Sequence, residues 1–382
     1  MGCLIIPSIR HVIQLCGFLI AFVVGFISWY PLLFAYGYGV ECVAYIFIIA
    51  SIMYIIFSSL VYVIELKWNL IMHIAISLTL ILLNLTPFWS LGNLISLFVS
   101  CYLLSISGYL SKLYNLTITL SSSIDAHVKG SIVRNITKWD FIFGSIGCLV
   151  FSFIIYHYSV ITAYTLIITI SAISLAMLFY LHPFNKIVID RSGEPIPKSI
   201  YLLSISTVFA FSIFRPFIPA YLNYLNINLI IIGIFYGVVI LVSRISSMLA
   251  QVIVSLHGPH TSIVIRSIVS VLMLLTTATS EDPTVSSIAL GCVLILSPFY
   301  TIAYLSLTRK FNRYDLHKAE VIYTLVSVPA ALVGIVLWFK TPRSLPLISA
   351  LLLALTLPII SKMRKEKRGE EYRISWKRGS AK

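Results

Sequence analysis

Lys112, Asp140, Arg215, Arg244 and Arg266 are ionisable residues set inside stretches that otherwise carry almost no charge. If those stretches cross a bilayer, each such group costs about 3 kcal/mol or more near its centre and is expected to face protein or a water-filled cavity. Lys112 belongs to a stripe of Ser105, Gly108, Lys112, Asn115, Thr119 and Ser122, whose steps of three and four place them on one helical face. Asp140 follows Thr137 and precedes Gly144 and Gly147 at helical spacing. Lys112 and Asp140 each lie about nine residues, roughly 13 Å, from the same end of neighbouring segments, so an ion pair or a water-bridged contact is open to them. The other reading puts Lys112 in a loop, with its ammonium snorkelling to the interface. Arg244, on a face with Gly233, Gly237, Ser247 and Gln251, either holds a carboxylate or phosphate in a bidentate fork or ties neighbouring helices together. Arg215 precedes Pro216, which removes a backbone donor and loosens the chain there. Arg266 lies about six residues into its segment, and snorkelling is the expectation for it.

This is chemistry of holding and releasing rather than of making bonds. Cations at Lys112, Arg215 and Arg244 against one deep carboxylate describe a site for a small anionic or amphipathic organic solute. Asn115 adds a polar contact, and Tyr30 and Tyr300 add aromatic faces for stacking, though tyrosines also belong at interfaces for ordinary reasons. If protons couple to the process, Asp140 is the carrier, because a carboxylate beside a lysine can change partner or protonation; His73 is a weaker candidate. The six cysteines lie scattered, with no CxxC and no His spacing suited to zinc, and read as small buried hydrophobes. No metal, cofactor or catalytic group is expected.

The elements that must position these residues follow from composition. The 382 residues are 59% hydrophobic and 10% charged, with a mean hydropathy of +1.00, where a soluble domain is about a quarter charged. A membrane-crossing helix needs about 20 apolar residues, and residues 11–40, 42–64, 68–111 and 216–243 carry no Asp, Glu, Lys or Arg at all. Division at Thr86-Pro87, His157-Tyr158 and the turn NYLNIN predicts twelve crossings: 11–36, 40–64, 69–88, 94–120, 131–156, 160–181, 199–222, 228–254, 261–280, 285–308, 320–339 and 345–361.

Basic residues test the count, because cytoplasmic loops are enriched in Lys and Arg. With both termini inside, the cytoplasmic face receives Arg10, Lys67, Lys129, Arg134, Lys138, Lys186, Arg191, Lys198, Arg309, Lys310, Arg313 and Lys318, and the tail from Lys362 onward adds more. The opposite face receives only Lys340 and Arg343, beside Glu41, Glu281 and Asp282. The net charge of +14 thus reports membrane topology and an anionic leaflet, not nucleic acid. The domain reading is a six-helix bundle over 1–181, a charged Pro- and Gly-punctuated linker over 182–198, a second six-helix bundle over 199–361 and a basic tail over 362–382.

The halves also repeat a phrase. WYPLLFAY at 29–36 and FRPFIPAY at 214–221 each end a long apolar segment, with Pro31 and Tyr36 matched by Pro216 and Tyr221. Two similarly oriented halves around a cytoplasmic linker are the pattern of a parallel internal repeat, and Arg215 in place of Tyr30 makes it asymmetric. In this layout the chain resembles the Major Facilitator Superfamily of secondary transporters. The resemblance is sharpest over FRPFIPAYLNYLNINLIIIGIFYGVVILVSRISSMLAQ, similar to that family's helices 7 and 8, and DAHVKGSIVRN is similar to its loop from helix 4 into helix 5. The loop signatures depart from it: ELKWN between helices 2 and 3 keeps only Glu65 and Lys67, HGPHTS between helices 8 and 9 has no Asp or Arg, and FGSIGCLV lacks the Gly-Pro element of drug-proton antiporters. No subfamily is assigned.

The resemblance implies an all-α membrane protein of twelve transmembrane helices in two bundles. It implies a secondary active transporter, working by alternating access as a monomer in the plasma membrane. Its partners would be the solute, the bilayer and, if the cycle is proton-coupled, protons. Two rivals stand beside it: a polytopic enzyme acting on a lipid-linked substrate, and a transport-incompetent relative serving as sensor or scaffold.

Overall fold

The computed structural model describes residues 5–63, 75, 98–106, 110, 126–181, 196–308 and 313–363. All of the predicted third crossing except residue 75, most of the fourth, most of the linker and most of the tail lie outside the described residues. Helices make up nearly all of what is described: α1 (Ile5–Ile27), α2 (Tyr30–Tyr36), α3 (Val40–Val63), α4 (Ala126–His157), α5 (Val160–Leu181), α6 (Lys198–Ser212), α7 (Ile218–Tyr224), α8 (Leu229–His257), α9 (Pro259–Thr279), α10 (Pro283–Ile295), α11 (Ser297–Thr308), α12 (Arg313–Lys340) and α13 (Ser344–Ala354). Residues 98–106 are helical as well. Ten membrane-length apolar helical spans are present among the described residues, and each matches one of the twelve expected crossings.

Four crossings expected as single helices are interrupted, each beside a proline; one of them is the last, where α13 ends at Ala354 and the chain is helical again over 356–363, with Pro358 in the new first turn. Helix α2 restarts after Trp29 with Pro31 in its first turn. Helix α6 gives way to a 3-10 turn over Arg215–Phe217, and α7 then starts with Pro219 in its first turn. Helix α10 ends at Ile295, with Pro298 just inside α11. Proline lacks the N–H that would continue the ladder and clashes with the preceding turn, so it is favoured only where a helix begins. Both copies of the repeated phrase therefore carry the same break. Asp282 shows the complementary device: its carboxylate accepts from the Thr284 N–H at 2.7 Å, capping α10, with Pro283 behind it.

The chain packs as two compact units, Met1–Ile189 with Pro216–Leu241, and Asp190–Arg215 with Val242–Lys382. In the first, α1 lies against α4 and α5, and α2 packs on α3 and α7. The α1–α4 contact is close because it is built on glycine. A Cβ on Gly25 would collide with the Gly144 carbonyl, and one on Gly147 with the Phe22 carbonyl. The Cys148 thiol donates to the Gly25 carbonyl at 3.0 Å in the same seam. Residues 216–241 join this unit through α8, whose Gly233 and Gly237 lie against Ser152 and Ser145 of α4. Ser145 Oγ donates to the Gly237 carbonyl at 2.8 Å. The GxxxG spacing thus does what small residues do between membrane helices, letting backbones approach.

In the second unit α9 is the central element, packed on α10, α11 and α13, while α6 packs on α12 and α13. Ile200, Leu203, Ile263, Ala303, Ala319 and Ile360 form a buried apolar cluster there. Glu281 and Arg343, assigned to the same face by charge, come together at 3.7 Å between exposed side chains.

Candidate functional site

The second unit contains a polar and aromatic cluster resting on that apolar floor. Four helices supply it. From α6, Tyr201, Ser204, Thr207 and Phe211 recur at steps of three and four and so share one face. From α9 comes Arg266, from α11 the i, i+4 pair Tyr300 and Tyr304, and from α12 Tyr323. The Pro298 break sets the start of α11, and Ser262 Oγ fixes α9 against it by donating to the Phe299 carbonyl at 2.9 Å.

The tyrosines are tied to one another. Tyr300 donates to Ser204 Oγ at 3.0 Å, and the Tyr304 and Tyr323 hydroxyls share a hydrogen bond at 3.2 Å. The rings of Tyr300 and Tyr304 stack with centroids 5.9 Å apart and 14° between planes. Tyr323 meets Tyr304 edge-on at 6.2 Å and Tyr201 at 6.4 Å.

Arg266 is enclosed by this frame at 5% exposure. Its guanidinium carbon lies 3.9 Å from the Phe211 ring centroid and 5.2 Å from that of Tyr300. Nε and Nη1 are buried without a hydrogen-bond partner. An ion left uncompensated in the interior costs several kcal/mol, whereas a cation against an aromatic face gains about 0.5–2 kcal/mol. The rings therefore do not balance the burial. Ser270, one turn further along the same face of α9, also has a buried hydroxyl without a partner.

The snorkelling expected of Arg266 is thus corrected. Depth along a helix was its only basis, and the packing of α9 among its neighbours closes the route to the interface. Of the expected site residues that are described, Tyr300 alone is recorded in this cluster. Tyr30 is buried at 4% exposure in the first unit, stacked on Phe26 at 4.6 Å and edge-on to Tyr164 at 6.1 Å. Nearby, Trp29 stacks on Tyr236 at 5.1 Å, and the Tyr164 and Ser100 hydroxyls are 3.1 Å apart. Asp140 is half-buried on α4, with Oδ1 accepting from the Phe141 N–H at 2.7 Å. Arg244 is half-buried on α8, and Arg215 is exposed in the 3-10 turn. Lys112, Asn115 and His73 lie outside the described residues. Among the described residues no three His, Cys, Asp or Glu side chains gather in a way that would hold a metal ion.

Searched by sequence, the chain matches no protein-family model and no curated protein. Its fold does match solved structures. A variant of the nucleoside transporter NupG superimposes with a TM-score of 0.68 at 13% identity, over 93% of this chain and 99% of that one. A bacterial homologue of the iron transporter ferroportin in an inward-facing state gives 0.68 at 16% identity, over 93% and 98%. A D-xylose-proton symporter gives 0.66 at 14% identity, over 93% and 97%. The chain is an all-α membrane protein with the fold of the Major Facilitator Superfamily transporters.

Proposed function

We propose that this protein is a secondary active transporter that moves a small organic solute, anionic or amphipathic, by alternating access of two six-helix halves, 1–181 and 199–361. The observation that carries the reading is a fold shared over 93% of the chain with a nucleoside transporter, a bacterial homologue of the iron transporter ferroportin and a D-xylose-proton symporter. Such breadth speaks for the mechanism and leaves the cargo to the side chains. The cargo follows here from charge: Lys112, Arg215 and Arg244 stand within apolar segments against the single deep carboxylate Asp140, with Asn115, Tyr30 and Tyr300 as further contacts. Asp140 carries the proton if a proton gradient drives the cycle. The protein works as a monomer in the plasma membrane with both termini cytoplasmic, an orientation supported by the basic residues of its loops.

Uptake of radiolabelled organic anions into proteoliposomes, with and without an imposed pH gradient, tests the reading. Saturable entry that exceeds protein-free vesicles is expected. Absence of flux across the anion panel, or turnover of a lipid-linked substrate in the same vesicles, would replace the transporter reading with a sensor or an enzyme.

A further inference from the structure

Arg266 stands apart from Lys112, Arg215 and Arg244, the cations behind the expectation of an anionic cargo, and it is enclosed at 5% exposure. A guanidinium does not shed its proton in a protein, so its donors need acceptors. No carboxylate of the described residues pairs with it, and two of its nitrogens are buried without partners. Ser270, at i+4 on the same face of α9, repeats the condition with a neutral hydroxyl. Ser262, at i−4, is already satisfied by the Phe299 carbonyl. Arg266 and, one turn further along α9, Ser270 therefore carry donors that nothing in the described protein meets.

We propose that Arg266 anchors a carboxylate-binding site within the second unit, its two unpartnered donors taking the carboxylate and the Phe211 and Tyr300 rings beside its guanidinium framing the site. A singly charged group fits the site because Arg266 is the one cation recorded there among the described residues. The other polar members, Ser204, Tyr300, Tyr304 and Tyr323, are neutral hydroxyls already committed to one another. A phosphate dianion would retain an uncompensated charge in an apolar setting. Identifying the bound carboxylate as cargo rests on the transporter reading, whereas the binding site itself does not.

The test is ligand binding to the purified full-length protein in detergent, by thermal unfolding and calorimetry. Its probes are monocarboxylates from acetate to benzoate, with benzamide as the uncharged counterpart, and inorganic phosphate and chloride as other anions. Benzoate should stabilise the protein and benzamide at equal concentration should not. Arg266→Gln should weaken benzoate binding about 10- to 100-fold, the range for losing a charge-assisted hydrogen bond, and Arg266→Lys should weaken it less. Arg266→Met separates binding from folding, because an apolar side chain of similar length removes the buried charge. Its unliganded midpoint should equal or exceed that of the wild type, with the benzoate response gone. The assignment is overturned if no monocarboxylate binds, if benzamide or phosphate binds as well as benzoate, or if the response survives Arg266→Met. Binding that follows this pattern in a protein showing no flux in vesicles would retire the transporter reading and leave the site standing.

Discussion

Alanine substitution at three glycines of the α1–α4 seam offers a sharp test, because the structure ranks them differently. A Cβ on Gly25 would meet the Gly144 carbonyl group, whose carbon would be 2.8 Å away, and one on Gly147 would meet the Phe22 carbonyl in the same manner. In both cases the obstacle is backbone, which has no rotamer to move aside. The two helices must separate by about 1 Å, a gap at which dispersion contacts lose a quarter to a half of their strength. Overpacking of this kind costs about 1–3 kcal/mol, and an unyielding neighbour argues for the upper half of that range. Alanine returns up to about 1 kcal/mol of helix propensity, leaving Gly25→Ala and Gly147→Ala less stable by about 1–2 kcal/mol. A Cβ on Gly144 instead has its nearest neighbours at 3.4 Å, the Ala21 carbonyl and an Ile240 methyl. That is ordinary contact, so Gly144→Ala should be neutral or slightly stabilising. The measurement is the thermal midpoint in detergent, followed by size-exclusion chromatography of heated samples. Equal destabilisation by all three alanines, or none by any, would refute the geometry of the seam.

Further outcomes follow from the other residues. Asp140→Asn should abolish dependence of uptake on a pH gradient while leaving solute binding in place; uptake still driven by the gradient would exclude Asp140 as the proton carrier. Arg244→Ala should reduce flux at least tenfold in a protein that still elutes as a folded monomer, and unchanged flux would remove Arg244 from the site. Cysteines introduced at Lys186 and Ser375 should react with a membrane-impermeant maleimide only after the cytoplasmic face is exposed, measured above the background of the native cysteines. Labelling of intact cells would invert the topology.

Much of this architecture is legible without coordinates, and the failures are instructive. Long uncharged stretches located the spans, since hydrocarbon tolerates little else. The GxxxG pair at Gly233 and Gly237 marked a close helix contact, which is made by Ser145 and Ser152 of α4. Gly144 and Gly147 show the ambiguity of small residues. In the sequence they stand only at helical spacing from Asp140, and their use as the seat for α1 depends on a helix remote in the chain. The helix breaks were readable from Pro31, Pro216 and Pro298 in hindsight, but a proline within a membrane span is often accommodated. Arg266 was misjudged for a deeper reason. Its distance from the helix end is a property of one segment, whereas its enclosure depends on Phe211 and Tyr300, which come from helices remote in the chain. The i±4 pattern of Ser262, Arg266 and Ser270 was the available signal.

The junction of α8 with α4 has a mechanical meaning. Gly233 and Gly237 lie against the Ser152 and Ser145 side chains, an Ile240 methyl lies near Gly144, and a direct bond runs from the Ser145 hydroxyl to the Gly237 carbonyl. Such a join resembles a press-stud rather than a weld. Opening it leaves a hydroxyl and a carbonyl that a water molecule can serve at once. The Ser145–Gly237 bond is one that water can replace and restore, whereas the seat of α1 against α4 is glycine pressed on backbone, with no rotamer to yield.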